Sequence, residues 1–261
     1  MESGKIRDEG KFVVSWQTEG LRATAFLTAA GAQGADSWWP VLLGSEPDTR
    51  VSRPGGFLLD SGQLDGNQFL LNVQVGRVDW TVSPIAPAES QNIPTVGLFP
   101  GSSDTFKRIV LRWLEFAPPI ARLAFGATLA LPVKNLADGK AKLVEYLPVA
   151  KAADLEEASN FTFSINRPRQ STTGIAGLRI NRLSQWAILN YRSLEMQISP
   201  GSKATLPAKI SSVDIAIAVR LGLDISTHED FQGTLPKERL GDIFLELMDA
   251  GKEISDRGDV K

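Results

Sequence analysis

Val213-Asp214-Ile215-Ala216-Ile217-Ala218-Val219-Arg220-Leu221-Gly222-Leu223-Asp224-Ile225 alternates apolar and polar or small residues without a break. Side chains on a strand point to opposite faces in turn, so this pattern reads as a long β-strand with one face in the core. The odd positions are Val, Ile or Leu throughout. The even positions are Asp214, Ala216, Ala218, Arg220, Gly222 and Asp224. A chain holding such a strand has to build a sheet with at least one covered face.

Similar faces recur upstream. Leu123, Phe125, Ala127, Leu129 and Leu131 form one, and Phe161, Phe163 and Ile165 another. Leu178 and Ile180, then Trp186 and Ile188, form a fourth, with a turn placed between the two pairs. From Phe69 to Val82 the apolar parity changes at Gly76, which reads as a bulge. Phe12–Trp16 and Leu21–Thr28 read as a short hairpin. Residues 31–36, 44–56 and 83–93 read as loops.

Two helices interrupt the strands. Phe106, Ile109, Val110, Trp113 and Ala117 follow helical spacing across Asp104–Phe116. Ser102, Ser103 and Asp104 offer N-cap oxygens there, and Pro118-Pro119 ends the helix. Leu240, Ile243, Phe244, Leu247 and Ile254 mark a second helix from Pro236 to about Ser255, with Thr234 as a cap. A weaker third helix spans Gly139–Leu147. Strand clusters that each end in a helix predict an α+β fold of mainly antiparallel sheets. A long amphipathic helix then closes each of two modules, 1–117 and 118–261, or both modules form one continuous domain. A remote internal duplication stays open as an alternative, though the residues do not align well enough to assert it.

Composition narrows the function. The 261 residues include no Cys and a single His, with 43% hydrophobic and 22% charged residues. Thiol catalysis, disulfides, cysteine zinc sites and iron–sulfur clusters are excluded. No secretory leader and no membrane-length apolar run is visible, so a cytoplasmic protein is expected. No GxGxxG, GxxxxGK[ST], GxSxG or spaced metal motif occurs. No cofactor and no metal are therefore expected, and catalysis is not favoured.

The candidates for chemistry are few. His228 stands beside Glu229 and Asp230 after the long strand, a place for a general base. The plainer reading is an exposed loop histidine. Pro100-Gly101-Ser102-Ser103 before a helix can hold an anion or simply cap it. Trp38-Trp39 in an extended chain would face opposite sides; they are core residues, or one is exposed as a protein-contact anchor.

Charge is arranged in blocks. Residues 1–157 carry a net −3, residues 158–209 a net +6 and residues 210–261 a net −5, within a total of −2. Arg167, Arg169, Arg179 and Arg192 lie near Trp186 and Tyr191, a composition suited to nucleic acid. The sequence pI of 5.6 argues against that use. Arg182 shares parity with Leu178 and Ile180, faces the core and needs a carboxylate, for which Asp214 and Asp224 are candidates. The +6 block either meets a partner or binds the −5 block of its own chain.

Ile165-Asn166-Arg167-Pro168-Arg169 and Ile180-Asn181-Arg182-Leu183-Ser184-Gln185-Trp186, with a closing amphipathic helix, resemble an uncharacterised, sporadically distributed prokaryotic family of α+β proteins of about this length. The resemblance covers the second half of the chain. It implies a bacterial accessory protein and assigns no residue a role. The expected function is a non-catalytic protein-interaction or assembly component, homo-oligomeric or bound to another protein. A nucleic-acid-binding subunit using Arg167–Arg192 is the first alternative, and a hydrolase or transferase using His228 the second.

Overall fold

A computed structural model describes residues 15–28, 32–85, 92–149, 161–197 and 209–259. Among these, ten strands form a single antiparallel sheet. They are β1 (Gln17–Leu27), β2 (Thr49–Arg53), β3 (Phe57–Leu64), β4 (Asn67–Gln74), β5 (Arg77–Pro84), β6 (Ile120–Val133), β7 (Thr162–Asn166), β8 (Arg169–Gln170), β9 (Arg179–Gln197) and β10 (Lys209–Thr227). Their spatial order is β2-β3-β4-β5-β1-β6-β10-β9-β7, with β8 also on β9. The four helices among the described residues are α1 (Trp38–Leu43), α2 (Asp104–Phe116), α3 (Leu136–Tyr146) and α4 (Leu240–Arg257).

The sheet crosses the Pro118-Pro119 boundary. β1 pairs with β6 from Gln17↔Ala130 to Leu27↔Ile120, and both lie at the centre. Each half repeats one topology around that pair. Its first strand is central, a helix follows, the next strands return from the outer edge, the last strand lies beside the first, and a helix closes the unit.

All four helices lie on one face. One row of paired residues runs Arg50–Asp60–Leu71–Trp80–Ala23–Phe125–Ile225–Arg182 across eight strands. α1 sets Trp39 against Phe69 and Trp80, and α2 sets Trp113 against Trp80. α4 sets Phe244 against Phe125, and its Gly251 lets the helix lie directly on Phe125 and Leu223. α3 places Gly139 over Ile188 and Val133, and its Tyr146 stacks on Trp186. From Ile217 to Ile225 the alternating apolar positions are the helix-covered face, and Val219, Leu221, Leu223 and Ile225 are all buried; a register shift between Asp214 and Ala216 breaks the alternation, so that face does not run on toward the start of the strand.

Several local expectations change. Val75-Gly76 is a two-residue hairpin turn rather than a bulge, with Gly76 at φ 71°; folding back across it reverses parity, and Val73 pairs with Val78. The residues from Ile180 to Ile188 lie within the uninterrupted strand β9, with no turn. Leu21–Thr28 falls in β1 and its end, whose neighbours are β5 and β6 rather than a preceding strand; residues 12–14 lie outside the described residues. Trp38-Trp39 is helical, not extended. The 44–56 stretch contains the edge strand β2, exposed throughout.

Helix ends also differ. α4 starts at Leu240 after a 3-10 turn, because Leu235 donates its N–H to Ile120 and Pro236 stays extended (ψ 125°). Thr234 is not the cap. α3 starts at Leu136, where the Asn135 side chain accepts from the Asp138 N–H. α2 is entered through a 3-10 turn, and the Ser103 hydroxyl donates to the Pro100 carbonyl instead of capping.

Candidate functional site

The face opposite the helices is the candidate site. Its floor is built by the even positions of β10, now read from the other side. Gly222 pairs with Thr128 of β6 and Gln185 of β9; Asp224 pairs with Gly126 and Leu183. On β1, Arg22 pairs with Gly126, and Gly20 with Thr128. Three glycines on three adjacent strands leave a groove of about 430 Å³ across β5, β1, β6, β10 and β9. Arg22, Thr81, Thr128, Gln185 and Asp224 border it.

Arg22 crosses β6 at Gly126, where a Cβ would stand 3.6 Å from its guanidinium, an ordinary contact distance. Its Nη2 comes within 3.9 Å of Asp224 Oδ2. At one end of the groove, Glu19 sits in a bulge between Thr18 and Gly20. It accepts from the Tyr191 hydroxyl at 2.8 Å and from Arg220 Nε at 3.1 Å. Burial, and then the hydrogen bond to Glu19, push the Tyr191 phenol well above its usual range, so it is a neutral donor. Beside it, Ile93 covers Ala130 and Ala218.

At the other end, Asp79 accepts from Thr24 Oγ1 (2.6 Å) and from the fork of Arg77 (2.7 and 2.9 Å). Arg77 and Arg122 both lie over the Phe26 ring, at 5.6 and 5.2 Å. Arg122 also reaches the Thr227 carbonyl at 3.3 Å and Glu229 at 3.9 Å. Every arginine named on this face thus has a carboxylate partner.

The sequence candidates land elsewhere. His228 follows β10; its N–H donates to the Arg179 carbonyl, and its Nδ1 accepts from the Asp230 N–H at 3.2 Å. The same Nδ1 lies 3.3 Å from the Asp230 carboxylate. Glu229 turns away toward Asn181 and Arg122. The three residues are adjacent in sequence but do not converge on one point. Among the described residues no group of three or more His, Asp or Glu could hold a metal ion.

Trp38 and Trp39 are 4% and 2% exposed, so neither is an exposed anchor. The short helix turns both rings inward, onto Trp113 and onto Phe69 with Trp80.

The basic block binds its own chain. Arg167 forks onto Asp259 at 2.8–3.0 Å, Arg169 reaches Glu253 at 2.9 Å, and Arg192 pairs with Asp214 at 2.8 Å. Arg182 faces the helices as its parity predicts, but its partner is Glu253 of α4 at 3.3 Å. Asp214 and Asp224 point the other way along their strand register or into another pair, and neither reaches it. Burial lowers the Arg182 pKa from its usual value, and Glu253 opposes that. Arg179 is exposed. Nearby, Glu246 accepts from Ser171 Oγ, Thr172 N and Thr172 Oγ1 at 2.6–2.9 Å, which ties the turn before β9 to α4.

Arg22, Glu19, Gln185 and the glycine floor are not singled out by sequence reasoning. Their one signal is the small and charged even positions of the quoted strand. No helix among the described residues is long and apolar enough to cross a membrane. Comparison with known proteins finds no matching family model, no matching curated protein and no matching solved structure.

Proposed function

We propose that the protein is a non-catalytic interaction or assembly component of a prokaryotic cytosolic complex, and that it binds another protein chain through the face of its sheet that carries no helix among the described residues. The observation that carries this reading is the one-sided architecture among the described residues: four helices on one face, and on the other a groove of mixed polar and apolar lining over five adjacent strands. The groove, at about 430 Å³, lies within the volume range of small-molecule sites, about 300–1,000 Å³. Its border alternates donors and acceptors rather than presenting one charge.

Charge balance separates this reading from the nucleic-acid one. A polyanion is held by cations without partners. Here Arg22, Arg77, Arg122 and Arg220 each face a carboxylate, and so do Arg167, Arg169 and Arg192 of the basic block. His228 has the Asp230 carboxylate beside it, and Glu229 turns away to Asn181 and Arg122, so the three do not converge on one reacting position.

The test is site-specific crosslinking. A photo-reactive residue replaces Gln185 on the open face or Glu238 on the helix side, both exposed. Protein adducts from position 185 and none from position 238 are expected in extract of the source cell. Equal labelling from both, or none from 185, refutes the reading.

A further inference from the structure

We infer that the first occupant of the open face is a second copy of this chain, placed face to face about a two-fold axis that runs along β6. The inference rests on the reading above and names its partner. It starts from how charge is distributed on either side of β6. Arg22 and Glu19 lie on β1, to one side; Asp224 and Arg220 lie on β10, to the other. The two ion pairs therefore bridge β6 in opposite senses, with the cation on β1 in one and on β10 in the other.

A two-fold along β6 exchanges the β1 side with the β10 side. Arg22 then stands opposite Asp224 of the second copy, and Asp224 opposite its Arg22, because both residues share the Gly126 row. Arg220, in the Ala130 row, and Glu19, in the bulge between the Leu129 and Thr128 rows, lie toward one end of the seam on its two sides. Gly20 meets Gly222, since both share the Thr128 row. Arg22 and Asp224 each keep their partner within the chain and gain an opposite one across the interface.

The seam itself is narrow. The residues of β6 that face this side in the middle of the strand are Ala124, Gly126 and Thr128, with Ala130 covered by Ile93, so the two sheets approach most closely at the Gly126 row. Arg122, the cation on the same side of β6, is laid sideways over Phe26. The groove beside the seam receives the long side chains of the opposite copy. Arg22 and Asp224 can each take a second partner, being 43% and 48% exposed and 3.9 Å apart in a loose contact.

The test is complementation in trans. Light scattering of the wild-type chain gives twice the chain mass. Arg22→Asp and Asp224→Arg each set like charges opposite one another and weaken the dimer at least about thirtyfold. An equimolar mixture restores it, because each variant supplies what the other lacks, and native mass spectrometry shows the heterodimer. Circular dichroism and thermal melts verify that both variants are folded, as the exposure of both sites predicts. Arg22→Ala/Asp224→Ala supplies a second variant, weakened and not rescued by either partner. A monomeric wild type, or charge-reversed variants that dimerise as wild type does, overturns the inference; so does a mixture of folded variants that stays monomeric. A monomer whose position 185 still crosslinks to a different protein overturns the dimer and keeps the binding reading. Loss of both results removes both.

Discussion

Replacing Glu253 with Ala tests whether the basic block is held by its own C-terminal helix. Glu253 is the counter-charge of Arg182, whose side chain is 8% exposed, and it also accepts from Arg169 at 2.9 Å. Removing it leaves the Arg182 guanidinium beneath α4 with its charge uncompensated and its Nε still unbonded. Breaking a buried pair from one side costs about 3–5 kcal/mol. Glu253 is 31% exposed, so water reaches the pair and reduces the loss to about 2–3 kcal/mol. For a chain of this size that lowers Tm by roughly 5–10 °C. The assay is urea unfolding followed by tryptophan fluorescence, since Trp186 lies two residues along the same face from Ser184 and four from Arg182. Arg182→Met, measured in wild type and in the Glu253→Ala background, isolates the pair. It should cost at least about 1 kcal/mol less once Glu253 is gone, because there is no longer a charge to strand. A loss under about 0.5 kcal/mol for Glu253→Ala, or two losses that simply add, refutes the reasoning.

Gly62→Ala would place a Cβ 2.9 Å from the Trp39 ring, and overpacking of that kind costs about 1–3 kcal/mol; urea unfolding should show it, while Gly101→Ala, with nothing within 4 Å, stays within about 0.5 kcal/mol. Tyr191 makes stability fall at high pH. Its folded pKa lies above the unfolded value of about 10, so its contribution is complete below pH 10 and is lost as pH rises from there toward the folded value. Between about pH 10 and 11 this steepens the decline by up to roughly 1.4 kcal/mol per unit. Tyr191→Phe should flatten the curve by that amount, and parallel curves for the two proteins would exclude the effect.

Much of the fold is readable because alternation depends only on strand geometry. The strand around Leu221 and the helix Asp104–Phe116 are both where their periods place them. β2 escapes a reading by pattern because Thr49-Arg50-Val51-Ser52-Arg53 is an exposed edge with no buried side to impose one. Trp38-Trp39 reads as extended because a six-residue helix is too short to show a period; packing against Phe69, Trp80 and Trp113 forms it. The site is less legible. The parity of Arg182 turns it to the core and demands a carboxylate, yet Glu253 lies 71 positions away on another element, and spacing carries no record of such a contact.

The sequence by itself determined that the fold is α+β and antiparallel, that one side of the long strand is apolar, and that +6 and −5 blocks stand next to one another along the chain. Both faces of β10 were written in those alternating residues, since a strand must send neighbours to opposite sides. Only the tertiary structure decided what covers each face. All four helices chose the apolar side, where burial is favourable, so Gly222 and Asp224 were left on an open sheet beside Gly126 and Arg22. It also decided that Arg167, Arg169 and Arg182 turn to Asp259 and Glu253 rather than outward. Those pairings join residues 71 to 92 positions apart, and they exist because one continuous sheet and the helix α4 bring the two blocks together.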